Sequence, residues 1–393
     1  MIAVVAGAGI GGLVTALCLQ QRGWQVQLHE RAQRLEDTGA GLQLSPNACK
    51  VLRALGVLPQ VQLHACEPQR LEMRLGHSGA TVFSAGLAEQ TQQRRGAPYL
   101  HIHRADLVGV LAETLQRRAP GALRVESAVS GYRLGGELLE VEIGGQHQAA
   151  DVLIAADGVH SGIREQMLGS CPAQFTGNIA WRVTVPTAEL GAAAPPANAC
   201  IWVGRGRHAV TYRLRRGELV NLVGVVEQRQ WSDESWTAQG SREQALEDFS
   251  GWHRSVRKLL ELAPAHYRWA LLAREALPRW TDGPVALLGD AAHPMLPFLA
   301  QGAAMAIEDA WVLAESLESA GSTAGGLQRY SAARQARCAR VQAAAAANAR
   351  RFHLPEIAYR PLQIYSRLRP DWPLQRQDWL FGHDVLAAAG RRS

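Results

Sequence analysis

Within its first dozen residues the chain carries GAGIGG, which sets Gly7, Gly9 and Gly12 in G-x-G-x-x-G spacing. The apolar run IAVVA (2–6) precedes it and an apolar segment reaching Gly23 follows, so the stretch reads as strand, tight turn and helix. Glycine at these three points permits the turn, the close approach of backbone to a pyrophosphate, and close helix-to-strand packing. The helix N-terminus then stabilises phosphate charge. A second strand, WQVQLHE, ends in Glu30, 18 residues after Gly12. An acid at that distance accepts hydrogen bonds from ribose hydroxyls and favours adenosine with a free 2′-OH, although the adjacent Arg31 weakens that selection. Strand, loop, helix, strand and terminal acid in this order predict a dinucleotide site for FAD or NAD in an α/β, Rossmann-like domain. Its expected binding residues are Gly7, Gly9, Gly12, Glu30 and Arg31.

Other readings of the chain are disfavoured. Met1 to Leu19 lacks the basic start of a secretory signal, and its glycines break the apolar stretch. No other segment approaches the ~18 continuous apolar residues of a membrane span, so a soluble, cytoplasmic protein is expected. With 393 residues, 47% hydrophobic and 19% charged, the chain can bury two or three packed units. Six cysteines are scattered without C-x-x-C spacing, which predicts reduced thiols and neither a zinc site nor a disulfide framework. The net charge of +6 resides mostly in dispersed arginines, with no dense basic tract, so a nucleic-acid partner is not expected.

Two later segments repeat the theme of a strand feeding a glycine turn. DVLIAADGVHSGIR (151–164) reads as a buried strand ending at Asp157-Gly158, then a helical start carrying Ser161 and Arg164. LLGDAAHPMLPFLAQGAAMAIEDA (287–310) follows the run VALLG (285–289) and puts Asp290 at a strand's carboxyl end, where open α/β sheets bind ligands. Pro294 and Pro297 are expected to keep the loop extended, with a helix starting near Gln301-Gly302.

Together, GAGIGG, ADGVHSGIR and GDAAHPMLPFLAQGAAMAIEDA resemble the three signatures of the single-component, FAD-dependent aromatic hydroxylases of the p-hydroxybenzoate hydroxylase-like class. GAGLQLSPNACKVLRALGV (39–57), HRADL (103–107) and AWRVTVP (180–186) sharpen the resemblance toward the salicylate hydroxylase and 3-hydroxybenzoate 6-hydroxylase branch. The resemblance implies an FAD-dependent monooxygenase that uses NADH or NADPH and O2 to hydroxylate a small phenolic or related aromatic compound through a flavin C4a-hydroperoxide. It implies that the first loop holds the pyrophosphate and Glu30 the adenosine ribose. Arg104 would contact FAD, with Asp157 beside it, while Asp290 would bind the ribityl chain. Pro297 and Gly302 would face the isoalloxazine, where the helix dipole stabilises the charge of reduced flavin.

Between residues 172 and 270 the pattern changes to short alternating segments, and RHAVTYRL with ELVNLVGVV, joined by RRG, predicts a β-hairpin. Period-two alternation points His208, Val210 and Tyr212 the same way. By the resemblance, His208 is the base-like partner of a substrate hydroxyl, and Tyr212 and Gln301 position substrate or oxygenated flavin. A histidine there suits phenol chemistry, because withdrawing the phenolic proton raises ring electron density. For His293 a structural hydrogen bond is the expected role. The branch commonly has an acidic D-R-D-P type stretch where this chain has AREALPRW (273–280). Arg182, Arg205, Arg207 and Arg213 are candidates to bind a substrate carboxylate.

The expected architecture is a discontinuous FAD-binding domain (1–71, 98–171 and 271–330), an inserted β-sheet substrate domain (72–97 and 172–270) and a C-terminal helical segment (331–393). The alanine- and arginine-rich stretch of that last segment reads as a helix that is buried or faces a partner copy, leaving a homodimer open. A larger tailoring or antibiotic substrate, a NAD-dependent dehydrogenase, and a flavin-binding protein without catalysis are the alternative readings.

Overall fold

The structure is a computed structural model, described for residues 1–35, 41–135, 138–229 and 238–389. The first two residues of the GAGLQLSPNACKVLRALGV stretch, 39 and 40, lie outside the described residues.

Buried apolar strands assemble first into a six-stranded sheet in the order Thr281–Asp282, Val285–Leu287, Val152–Ala155, Ile2–Ala6, Gln25–His29 and Leu123–Arg124. The last five run parallel, and only the Thr281–Asp282 edge is antiparallel. The central strands, IAVVA and VLIA, are almost wholly buried, as expected of a parallel sheet covered on both faces. Helices Ile10–Gln21 and Gly302–Glu318 pack together over the sheet, close enough that a Cβ on Gly11 would lie 3.4 Å from Ala306 of the second helix and 2.8 Å from the Leu288 side chain at the end of strand Val285–Leu287. This is the Rossmann-like layer, and it places the GAGIGG turn, Asp157 and Asp290 just beyond carboxyl ends of parallel strands.

A second sheet has seven strands in the order Tyr267–Ala273, Gln174–Pro186, Leu219–Glu227, Arg207–Leu214, Ala199–Gly204, Arg70–Leu75 and Thr81–Gly86. Its pairings are antiparallel except between Ala199–Gly204 and Arg70–Leu75. The predicted hairpin is present, with Arg207–Leu214 paired to Leu219–Glu227 through Arg215–Gly217. One face of this sheet packs on helices Arg242–Asp248 and Arg254–Leu262 around Trp181, Trp202 and Phe249. The other face turns toward the parallel-sheet layer. The 30-residue helix Thr323–Phe352 lies across both layers, packing on helix Gly302–Glu318 and on the turn Pro297–Leu299. No helix among the described residues is long and apolar enough to cross a membrane.

Candidate active site

Strand ends and helix starts converge on one groove. Ala8, Glu30, Arg31 and Val108 line a hollow at its near end. A deeper cavity shares Gly9 and Arg104 with that hollow and runs past Gln43, Asp290, Pro297 and Gln301 to His208 and Tyr212. Arg104, the first residue of its helix, therefore stands at the junction of the two.

The near end is shaped by backbone. Gly7 has φ +95°, and a Cβ on Gly12 would lie 1.9 Å from the Gly7 carbonyl oxygen, so neither position accepts a side chain. Glu30 fixes the loop by accepting the Ala8 amide at 2.8 Å and the Ala32 amide at 3.0 Å, with carboxylate lone pairs remaining for a ribose. Helix Ile10–Gln21 has neither a side-chain cap nor an acid in its first turn, so its N–H groups and dipole are presented to an anion.

The far end repeats this arrangement. Helix Gly302–Glu318 also starts without a side-chain cap or an acid in its first turn, and Gln301, Gly302 and Ala303 line the cavity. The loop before it departs from the extended path expected of Pro294 and Pro297. Pro297–Leu299 closes a 3-10 turn, and Ala300 takes a left-handed φ of +52° to redirect the chain into the helix. Asp290 opens to the cleft while surrounded by protein. That burial raises its carboxyl above the ordinary range, and His293 and Arg104 partly offset the rise. Asp157 stands behind the wall formed by Ala156 and Gly158, and its buried carboxyl takes hydrogen bonds from Ser161 and the Ile163 backbone. Arg164 is not the surface charge its residue type suggests. It is buried and donates to the carbonyls of Val159 at 2.7 Å and Ala291 at 3.2 Å, tying the second signature to the third.

The remaining wall comes from the seven-stranded sheet. His208, Val210 and Tyr212 face the cavity from one strand and Val223 and Val225 from its neighbour. Tyr212 is held by a ring contact to His101 at 4.8 Å. Gly41 backs it so closely that a Cβ there would lie 2.6 Å from the ring. Burial pushes the Tyr212 hydroxyl above its usual range against the pull of Arg182, and burial together with His353 holds His208 well below its usual value. Both side chains are neutral near pH 7.

Of the four candidate arginines, only Arg182 belongs to this face. It sits opposite Val223 in register, and Val223 lines the cavity. Its guanidinium lies over Tyr267 at 4.9 Å and Trp269 at 5.5 Å, and its Nε is buried without a hydrogen-bond partner among the described residues. The other three are corrected by the structure. Arg207 donates to the Asp248 carbonyl, Arg213 donates to Thr187 at 2.7 Å and the Pro195 carbonyl at 3.0 Å, and Arg205 is exposed. Period two had already set Arg207 and Arg213 on the opposite face.

Gln301 is oriented by residues that sequence reading did not single out. Its amide donates to Ser45 at 3.0 Å, and Asn47 donates to the Gln301 oxygen at 3.3 Å and to Glu308 at 2.7 Å. Glu308 in turn pairs with Arg334 and Arg337, at 2.6 and 2.7 Å. His293 makes the expected structural bond, to Asp309 at 2.5 Å, and Asp309 also takes Arg334 at 2.7 Å. The only local signal was S-P-N (45–47), a helix-start pattern whose cap residue turns inward to the site.

A groove with an uncapped helix start at each end and strand-end acids along it fits FAD in an extended form. Residues 1–345 match the family described as FAD binding domain. The chain belongs to this family. A relative from Streptomyces platensis, 3-amino-4-hydroxybenzoate 2-monooxygenase, is 34% identical over 98% of this chain and 97% of its own length. A 3-hydroxybenzoate 6-hydroxylase from Polaromonas naphthalenivorans is 34% identical over 97% of this chain and 96% of its own. Among solved structures, a salicylate hydroxylase substrate complex superposes with a TM-score of 0.81 at 27% identity, covering 99% of this chain and 96% of that one. The resemblance read from the three signatures thus holds: the protein is an FAD-dependent aromatic hydroxylase, a monooxygenase with NAD(P)H as co-substrate.

Proposed function

We propose that this hydroxylase acts on a small ring bearing both a hydroxyl and a carboxylate. The observation that carries the reading is the shared cavity, in which His208 and Tyr212 from the antiparallel sheet face Pro297, Gln301 and Gly302 at the start of the helix Gly302–Glu318. The relatives and the structural neighbour are named for hydroxybenzoate substrates, which supports the same class. Gly7, Gly9, Gly12, Glu30 and Arg31 would hold the adenosine and pyrophosphate of FAD, Arg104 its middle, and Asp290 the ribityl chain, with Asp157 buttressing the wall. When bound, FAD supplies hydride acceptance and oxygen activation.

The chain's own residues do the rest. His208 accepts the hydrogen bond of the substrate hydroxyl and draws its proton away, enriching the ring for electrophilic attack. Tyr212 and Gln301 fix the ring between sheet and helix start, and Arg182 receives the carboxylate on its unpartnered Nε edge. Pro297 and the left-handed Ala300 shape the backbone over the flavin. The division into residues 1–71, 98–171 and 271–330 for FAD, 72–97 and 172–270 for substrate, and 331–393 as a helical cover belongs to the same proposal, as does a cytoplasmic location.

The test is oxidation of NADH and NADPH by the purified flavoprotein with salicylate, 3-hydroxybenzoate, 4-hydroxybenzoate, 3-amino-4-hydroxybenzoate, 6-hydroxynicotinate and anthranilate, with hydrogen peroxide assayed alongside. A compound that accelerates oxidation with little peroxide is a substrate. Stimulation by none of the six overturns the proposed class.

A further inference from the structure

His208 does not end the chain of polar contacts that begins in the cavity. Its Nδ1 lies 2.8 Å from Nε2 of His353, and Nδ1 of His353 lies 2.9 Å from Oε1 of Glu227, whose side chain is 60% exposed. His353 caps the C-terminal end of helix Thr323–Phe352 and is anchored there, since its carbonyl accepts the Gly206 amide at 3.1 Å at the base of the strand that carries His208. On the far side, His353 and Glu227 line a separate surface hollow with Asn178, Gln228, Arg229 and Arg350.

From these contacts we propose that His208, His353 and Glu227 form a proton relay joining the substrate cavity to solvent. The proposal rests on the hydroxylase reading and deepens it. The hydrogen-bond directions follow from the outer end. A Glu227 carboxylate only accepts, so His353 carries its proton on Nδ1 and offers the Nε2 lone pair inward. His208 then donates from Nδ1, which leaves its Nε2 lone pair as the acceptor available to the cavity. Phe298 and Phe352 pack against the His208 ring with centroids 5.4 and 5.1 Å away and hold it in an apolar setting toward His353. Burial holds both histidines below their usual value, with Glu227 partly offsetting the effect at His353, so each is neutral and able to donate and accept at once.

The transfer balances without any co-reactant. The phenolic O–H bond breaks, its proton joins His208 Nε2, the Nδ1 proton of His208 passes to His353 Nε2, and the Nδ1 proton of His353 passes to Glu227 and on to water. The reverse sequence restores both tautomers when product is protonated. Among the described residues, Glu227, Arg229 and Arg350 are the charged groups that line the hollow with His353, from the strand end, the following loop and the helix. His353 and Glu227 act through His208 and are positioning residues.

The experiment uses the FAD-loaded enzyme with whichever of the six panel compounds accelerates the wild type most. Glu227→Gln, His353→Gln and His353→Ala are compared for KM, kcat from pH 6 to 9 and peroxide yield. The expected result is unchanged FAD content, KM within about twofold, and kcat lower by on the order of tenfold to a hundredfold at pH 6 to 7. The loss should shrink as pH rises, because hydroxide then removes the proton. Added imidazole should restore His353→Ala by entering the surface hollow, which a purely structural role would not allow. Wild-type kcat in His353→Gln and Glu227→Gln overturns the relay and leaves the hydroxylase reading standing. A loss confined to KM, or one unaffected by pH and imidazole, also overturns it. If no panel compound accelerates the wild type, the reading of the substrate class fails and the relay with it.

Discussion

The Nε2 of His293 lies 2.5 Å from Oδ2 of Asp309, and both side chains are almost fully enclosed, so the loop that follows Asp290 is pinned to helix Gly302–Glu318 by an ion pair inside the protein. Burial disfavours charge on both groups, but His293 and Arg334 hold Asp309 down to about 2, and Asp309 keeps His293 protonated. Removing one partner strands the others. Asp309→Asn is expected to destabilise the fold by about 3–5 kcal/mol, since it leaves buried cationic groups under-compensated. Urea unfolding of the two proteins, compared at pH 7, measures this. A midpoint equal to wild type would show that the pair is structurally idle.

Gly41 is expected to tolerate no side chain, because its missing Cβ is the space occupied by the Tyr212 ring. Gly41→Ala should leave FAD content intact, raise KM for the aromatic substrate and increase peroxide formed per NAD(P)H as Tyr212 shifts. Unaltered coupling would show that the ring can move without consequence.

Arg182→Met keeps most of the aliphatic stem and removes the charge. If Arg182 receives the carboxylate, KM for a hydroxybenzoate should rise about tenfold to a hundredfold, the equivalent of a charge-assisted hydrogen bond of roughly 1.5–3 kcal/mol. KM for the corresponding phenol lacking a carboxylate should change little. Equal effects on both compounds would assign Arg182 to packing against Tyr267 and Trp269.

Asp290→Ala should lose FAD, with apparent affinity falling about tenfold for one hydrogen-bond partner removed. Absorbance of the purified variant and titration of added FAD against tryptophan fluorescence report it. Full flavin occupancy in the variant would remove Asp290 from the binding set.

Acid should weaken the fold before it touches the carboxylates. Burial holds His101 down to about 3 and, with His353 adding, holds His208 well below its usual value, whereas both protonate near 6.5 in the unfolded chain. The unfolded state therefore binds more protons below that pH. The stability these groups contribute is complete above about pH 6.5 and declines as pH falls toward the folded values, by about 1.4 kcal/mol per pH unit for each group. His293, which Asp309 keeps protonated in the fold, works the opposite way and loses stability as pH rises past about 6.5, so denaturant midpoints at pH 8, 6.5 and 5 should be highest at 6.5 and lower on either side.

The cofactor side of this molecule was legible because its requirements are local. A glycine turn, a strand-end acid and a helix start follow one another along the chain, backbone geometry alone forces glycine at Gly7 and Gly12, and Glu30 is found by its place at the strand end. The facing of His208 and Tyr212 was readable for the same reason, since a strand alternates with a fixed period. The partners of Gln301 were not, because Ser45 and Asn47 meet it only after the sheet layers close. His353 ends a helix whose sequence is mostly alanine and arginine, and nothing near it in the chain marks it as touching the cavity wall. The loop at 294–300 was misread because proline restricts φ without choosing between an extended path and a 3-10 turn, and the left-handed Ala300 has no signature in residue type.

Two independent structures own the two walls of the cavity. The flavin-side wall is made of turns at the ends of parallel strands, whose backbone shape is fixed by glycines and buried ion pairs. The opposite wall is a few side chains on adjacent antiparallel strands, where Val210, Val223 and Val225 hold no hydrogen bond that another residue would break through its side chain. If this cavity takes the substrate as proposed, exchanging those valines for larger or polar residues should alter which rings fit while leaving the glycine-shaped turns of the facing wall as they are.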